Sequence, residues 1–104
     1  MNSKQLQYFL KTADKGSITG AAKELGIAQP AISQQISSLE HELSVQLFER
    51  DFRGVRLTKS GGKFYLRAQS IIHQMGLAKS EIDNTESNPS GQISIGMAQS
   101  VSNV

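Results

Sequence analysis

Gln29, Ser33, Gln34 and Ser37 lie within nine consecutive positions, with Pro30 among them and Ser38 and His41 following. A glutamine amide can donate and accept at once, so it can hold adenine N6 and N7 together. A serine hydroxyl reaches either a base edge or a phosphate. No carboxylate interrupts this row before Glu40 and Glu42, and an acid facing phosphates would be repelled. A second group follows. Arg50, Arg53, Arg56, Lys59, Lys63 and Arg67 put six of the eleven Lys and Arg residues into 18 positions, opposed within that span by Asp51 alone. Such concentration is an electrostatic footprint for a polyanion, although the net charge is only +2. Arg53 stands beside Gly54, and at a hairpin tip it would reach a minor groove, whose negative potential favours arginine.

These residues need elements to hold them. Ser17 can cap a helix over about 18–25, because its oxygen accepts from orphan amides of the first turn. Ala21, Ala22 and Leu25 give that helix an apolar stripe, and Gly26 suits a left-handed end. A helix over about 29–43 follows, with Pro30 in its first turn, where a missing amide costs nothing. Its Ile32, Ile36, Leu39 and Leu43 are spaced four, three and four, which keeps them on one face. Gln29, Pro30, Ser33, Gln34, Ser37, Ser38 and His41 lie on the other. Small Ala22 permits close approach, and Ile27 and Ile32 fill the angle. This is a helix-turn-helix pattern, whose second helix suits a DNA major groove.

A first helix over residues 3–15 has Leu6, Phe9, Leu10 and Ala13 on one face, with Gly16 stopping it; Tyr8 falls off that face, at the surface or a subunit contact. Two short extended pieces around Asp51-Phe52-Arg53-Gly54 predict a small hairpin, which must pack on the helices to be stable. Thr58 can cap a fourth helix running to about residue 85, roughly 40 Å long. Along it Phe64, Ala68, Ile71, Met75, Ala78 and Ile82 are spaced 4-3-4-3-4, a coiled-coil seam. Gly61, Gly62 and Gly76 each weaken that helix by about 1 kcal/mol against alanine. So long an amphipathic helix predicts a partner helix, most simply from a second copy. Residues 87–91 read as a hinge. Residues 92–98 alternate as one strand lacking a sheet, so the chain is expected to be an N-terminal fragment.

Size and composition set bounds. A chain of 104 residues supports one domain with a tail. Hydrophobic residues make up 38%, so the core is modest and a partner chain is expected to complete it. There is no cysteine, hence no disulfide or thiolate metal site. His41 and His73 are expected to be surface residues, and two lone histidines make no metal site. No apolar run is long enough to span a membrane, and no secretion signal begins the chain, so a cytoplasmic location is expected. Nothing supplies a paired acid and base, an activated nucleophile or a phosphate loop, so no catalysis is expected; Gly61-Gly62-Lys63 lacks P-loop spacing. The alternative from another class is a helical dimer scaffold acting as a protein-interaction module. That alternative needs neither the arginines nor an acid-free face.

Leu6-Gln7-Tyr8-Phe9, Gly16 to Ala22, Gln29-Pro30-Ala31-Ile32-Ser33, Ile36, Leu39-Glu40, Leu47-Phe48-Glu49-Arg50 and Leu57-Thr58-Lys59-Ser60-Gly61 together resemble the N-terminal part of a LysR-type transcriptional regulator, in order and spacing. Gly91 to Gly96 resembles the start of that family's effector domain. The resemblance implies a mainly α fold: a winged helix-turn-helix of three helices and a two-stranded wing over 1–58, then a dimerisation linker helix over 59–86. A hinge over 87–91 and the start of an effector-binding domain over 92–104 complete the expected organisation. It implies antiparallel pairing of linker helices in a homodimer bound to double-stranded DNA. For the full-length protein it implies a tetramer, promoter bending and a small-molecule co-inducer, with no cofactor in this part. It implies that Gln29, Pro30, Ser33 and Gln34 face base edges, that Arg53 reaches the minor groove, and that Ser17, Ser37 and Arg50 contact the DNA backbone. Three positions depart from the pattern. Ala28 stands where serine or threonine often caps the third helix, so a contribution of about 1 kcal/mol is expected to be missing. Ser44 stands where glycine is frequent, and Gln34 where a basic residue or threonine is frequent, which implies a different base preference.

Overall fold

The computed structural model describes residues 1–87, with side chains to residue 84; the hinge over 87–91 beyond its first residue, and the strand within 92–104, lie outside the described residues. The chain divides into a unit over Met1–Ile72 and a second beginning at His73. The elements are α1 (Ser3–Lys15), α2 (Ile18–Leu25), α3 (Gln29–Leu43), β1 (Phe48–Asp51), β2 (Gly54–Leu57) and α4 (Lys59–Ser87).

Local chemistry sets the boundaries. Asn2 caps α1 by accepting from Gln5 N at 2.8 Å, and Ser17 caps α2 by accepting from Gly20 N at 3.0 Å. Gly16 and Gly26 end these helices in the left-handed region, at φ 65° and 70°. Ala28 offers no side-chain cap to α3. Ser44 ends α3 at φ 58°. Among the described residues it is the only non-glycine at positive φ, a conformation of order 1 kcal/mol less favourable for it than for glycine.

Phe9 of α1 is the centre of the first unit. Its ring lies 5.3 Å from Phe48, 5.1 Å from Phe64 and 6.4 Å from Tyr65. Around it are buried Leu6, Ala21, Ala22, Ile32, Ile36, Leu39, Leu47 and Ala68. Gln5 and Thr12 are buried with them; the Gln5 amide donates to Gln35 Oε1 at 3.1 Å, tying α1 to α3. Tyr8 is half-buried against this core. A phenol can lay its ring on an apolar body and keep its hydroxyl in water, so the surface position expected for it is corrected.

The wing is antiparallel, with Phe48 opposite Leu57 and Asp51 opposite Gly54. It is seated by close backbone approach. Val55 N donates to the Gly16 carbonyl at 3.1 Å, and a Cβ on Gly54 (φ 128°) would stand 2.3 Å from that same oxygen. The start of α4 is seated likewise. Thr58 caps it by accepting from Gly61 N at 2.9 Å, and its hydroxyl donates to the Gln46 carbonyl at 2.6 Å. A Cβ on Gly61 would stand 2.1 Å from the Leu47 carbonyl oxygen. Gly61 is thus where the fourth helix meets the loop before β1.

The seam expected along α4 divides. Phe64 is half-buried against Phe9 and Ala68 is fully buried, both in the chain's own core. They lie on the same side of α4 as the rest of the stripe, but the three-helix body already covers them. Ile71, Met75, Ala78 and Ile82 are exposed, and these four remain available to a partner helix.

Candidate nucleic-acid interface

The α3 helix buries Ile32, Ile36 and Leu39 and leaves Gln29, Pro30, Gln34, Ser37 and Ser38 exposed, with Ser33 half-buried. Four-three spacing thus separates a core stripe from a polar ridge. The acids beside that ridge are occupied elsewhere. Glu40 turns into the body, where Oε2 accepts from the backbone amides of Leu47 at 2.7 Å and Phe48 at 3.2 Å. Glu42 pairs with the N-terminal ammonium at 2.6 Å. Glu40 therefore ties the end of α3 to the first strand of the wing and fixes the two relative to each other. From the sequence it reads only as the acid that ends the ridge. No sequence signal singles it out, since Glu42 follows two residues on in the same helix.

Arg53 is exposed at the wing tip, and the turn beneath it is fixed. Asp51 Oδ1 accepts from Arg53 N at 2.8 Å, the side-chain-to-backbone bond by which aspartate mimics a turn. Asp51 also pairs with the guanidinium groups of Arg53 at 3.3 Å and Arg56 at 3.2 Å. The Arg53 backbone amide, first, and these cations hold the Asp51 carboxyl below its ordinary value. Glu49 pairs with Arg56 at 3.4 Å. The basic run is therefore more balanced than the sequence suggests, because strand pairing brings Glu49 opposite Arg56. Arg50 makes no ion pair among the described residues, and it lines one open hollow with Ser37, Glu40 and Gln46. Ser37 and Arg50 are thereby brought together between α3 and β1.

Ser17 is half-buried. Its oxygen accepts the capping bond, which leaves its hydroxyl proton free to donate at the positive end of α2. In the last turn of α2, Glu24 takes Lys11 and Lys15 at 2.5 Å each; Lys11, then Lys15, hold its carboxyl down to about 2. Those lysines are thus engaged in ion pairs. Among the described residues no cluster of His, Asp or Glu could hold a metal ion. No helix among them is long and apolar enough to cross a membrane.

Residues 3–62 match the model of the bacterial regulatory helix-turn-helix proteins of the lysR family. The nitrogen assimilation regulatory protein Nac of Klebsiella aerogenes is 45% identical over 98 residues, covering 94% of this chain and 32% of that protein. The HTH-type transcriptional regulator ClcR of Pseudomonas putida is 47% identical over 73 residues, 70% of this chain and 25% of the relative. The chain thus spans about a third or less of the length of these curated relatives. Among solved structures, the CbnR DBD–DNA complex superposes with a TM-score of 0.79 at 36% identity, over 83% of this chain and 99% of that one. The BenM DBD in complex with catB site 1 DNA gives 0.81 at 38% identity, over 85% and 95%. Motif order, the helix-turn-helix with its wing and these similarities agree: the chain belongs to the lysR family of bacterial regulatory helix-turn-helix proteins.

Proposed function

We infer that the chain is the DNA-reading part of a cytoplasmic transcriptional regulator, not an enzyme, and that it binds double-stranded DNA as a homodimer. The α3 ridge enters the major groove, with Gln29, Pro30, Ser33 and Gln34 toward base edges. Ser17, Ser37 and Arg50 hold the sugar-phosphate backbone, and Arg53 enters the adjacent minor groove. Ile71, Met75, Ala78 and Ile82 carry the contact between α4 helices. The full-length protein, as a dimer or tetramer, answers to a small-molecule co-inducer bound in a region that follows. The observation that carries this reading is the pairing of an acid-free glutamine and serine ridge with a wing whose tip holds an exposed arginine, both fixed to one core. Glu40 supports it further, because its carboxylate accepts from the Leu47 and Phe48 amides and so binds ridge to wing.

Selection of bound duplexes from a random pool tests it. An enriched inverted repeat, with half-sites separated by whole helical turns, is the expected outcome. Recovery of sequences with no shared half-site would defeat the reading.

A further inference from the structure

Phe52 is 96% exposed at the outermost point of the wing. A fully solvated phenylalanine gains nothing for the fold, since it touches no core residue and leaves about 150–250 Å² of apolar surface in water. It is also held in place. The Asp51–Arg53 turn bond fixes the backbone on one side of it, and Gly54 is locked against Gly16 on the other. The Arg53 guanidinium lies over its ring at 5.5 Å from the centroid.

The two side chains form one unit whose width matters. A separation of 5.5 Å, with about 1.8 Å of van der Waals radius on each side, gives a stack about 9 Å across. An unperturbed minor groove is about 6 Å wide, and an A-tract groove is narrower still. An arginine alone enters such a groove; this pair does not fit one unless the groove opens. Pyrimidine–purine steps open and unstack most readily, and exposed phenylalanines are among the apolar wedges that enter opened steps. The neighbouring charges agree with nucleic acid as the occupant, because Arg50, Arg53 and Arg56 outnumber Glu49 and Asp51 on this hairpin and Arg50 has no ion pair among the described residues.

We propose that Phe52 is a wedge that makes the wing select deformable minor grooves: with Arg53 it opens a pyrimidine–purine step flanking the half-site and disfavours a rigid A-tract there. This rests on the DNA-binding reading above. A wing of this composition reads flexibility at a position where base-edge hydrogen bonds carry little information.

The test uses the 104-residue chain and the duplex it enriches from a random pool. That duplex is rebuilt with either a TpA step or a run of A·T pairs without one at the wing-proximal positions. Wild type is expected to favour the TpA duplex by about tenfold. Phe52→Ala is expected to bind both duplexes equally, with an unchanged thermal midpoint and an unchanged salt slope. Phe52→Leu is expected to keep part of the preference, and 2-aminopurine at the step is expected to brighten with wild type but not with Phe52→Ala. Equal binding of both duplexes by wild type, or a preference that survives in Phe52→Ala, overturns the wedge and leaves the DNA reading intact. Failure of wild type to bind any duplex overturns the DNA reading itself.

Discussion

Gly61 and Gly62 stand side by side in the first turns of α4, and alanine should have opposite effects at the two. At Gly61 the added methyl would lie 2.1 Å from the Leu47 carbonyl oxygen and 3.1 Å from Leu57 Cδ2. A carbon–oxygen contact needs about 3.3 Å, so chain and helix must part by roughly 1.2 Å. That carbonyl accepts from Thr58 N at 3.0 Å, and a shift of this size breaks the bond, at about 1 kcal/mol. Forced separation of packed elements costs a further 1–3 kcal/mol or so, against a helix-propensity gain of at most about 1 kcal/mol. Gly61→Ala should therefore lose about 2 kcal/mol. At Gly62 an added methyl meets nothing within 4 Å, so Gly62→Ala keeps the propensity gain of up to about 1 kcal/mol. For a domain of this size each kcal/mol moves Tm by about 4–8 °C. Circular-dichroism melts at one fixed protein concentration should show Gly61→Ala falling by about 10 °C and Gly62→Ala rising by a few degrees. A Gly61→Ala chain as stable as wild type, or a Gly62→Ala chain less stable, would refute the close-approach reasoning.

Two further perturbations follow from the carboxylates. Glu40→Ala strips the acceptor from two part-buried amides and should cost about 2 kcal/mol. Amide exchange at Leu47 and Phe48 should accelerate most, whereas a uniform change across the chain would contradict the anchoring role. Glu24 has its folded pKa lowered from 4.5 to about 2. A depressed carboxylate adds stability that is complete above its unfolded value and disappears as pH falls through the folded one. Wild-type Tm should therefore drop more than that of Glu24→Gln between pH 5 and about pH 2. The difference is small because the pair is exposed, and parallel curves across that window would contradict it.

Much of the architecture is legible in residue types and spacing. Caps at Ser17 and Thr58, stops at Gly16 and Gly26, and the four-three core stripe of α3 all act locally, so they survive reading without coordinates. Long-range pairing does not. Nothing near Glu40 in sequence announces that its carboxylate serves amides seven and eight residues on. The neutralising partners of Arg56 depend on strand register. Phe64 and Ala68 continue the α4 stripe, yet the body covers them, because spacing gives a face but not what covers it. Gly61 reads as a helix weakness until the Leu47 carbonyl is seen against it. Of the candidate interface, the ridge and Arg53 are legible as residue types in order; the hollow shared by Ser37 and Arg50, and the exposure of Phe52, come only with the fold.

Duplex affinity measured across a salt series, for wild type, Arg53→Ala and Gln34→Ala, tests the central claim most directly. Arg53→Ala should weaken binding to every sequence and lower the magnitude of the log–log salt slope by about 0.9, one phosphate contact's worth. Gln34→Ala should leave the slope unchanged and relax the preference among bases at one position of the half-site. If both variants retraced the wild-type curve at every salt concentration and on every duplex, the glutamine ridge and the wing arginine would not be the DNA-reading surface.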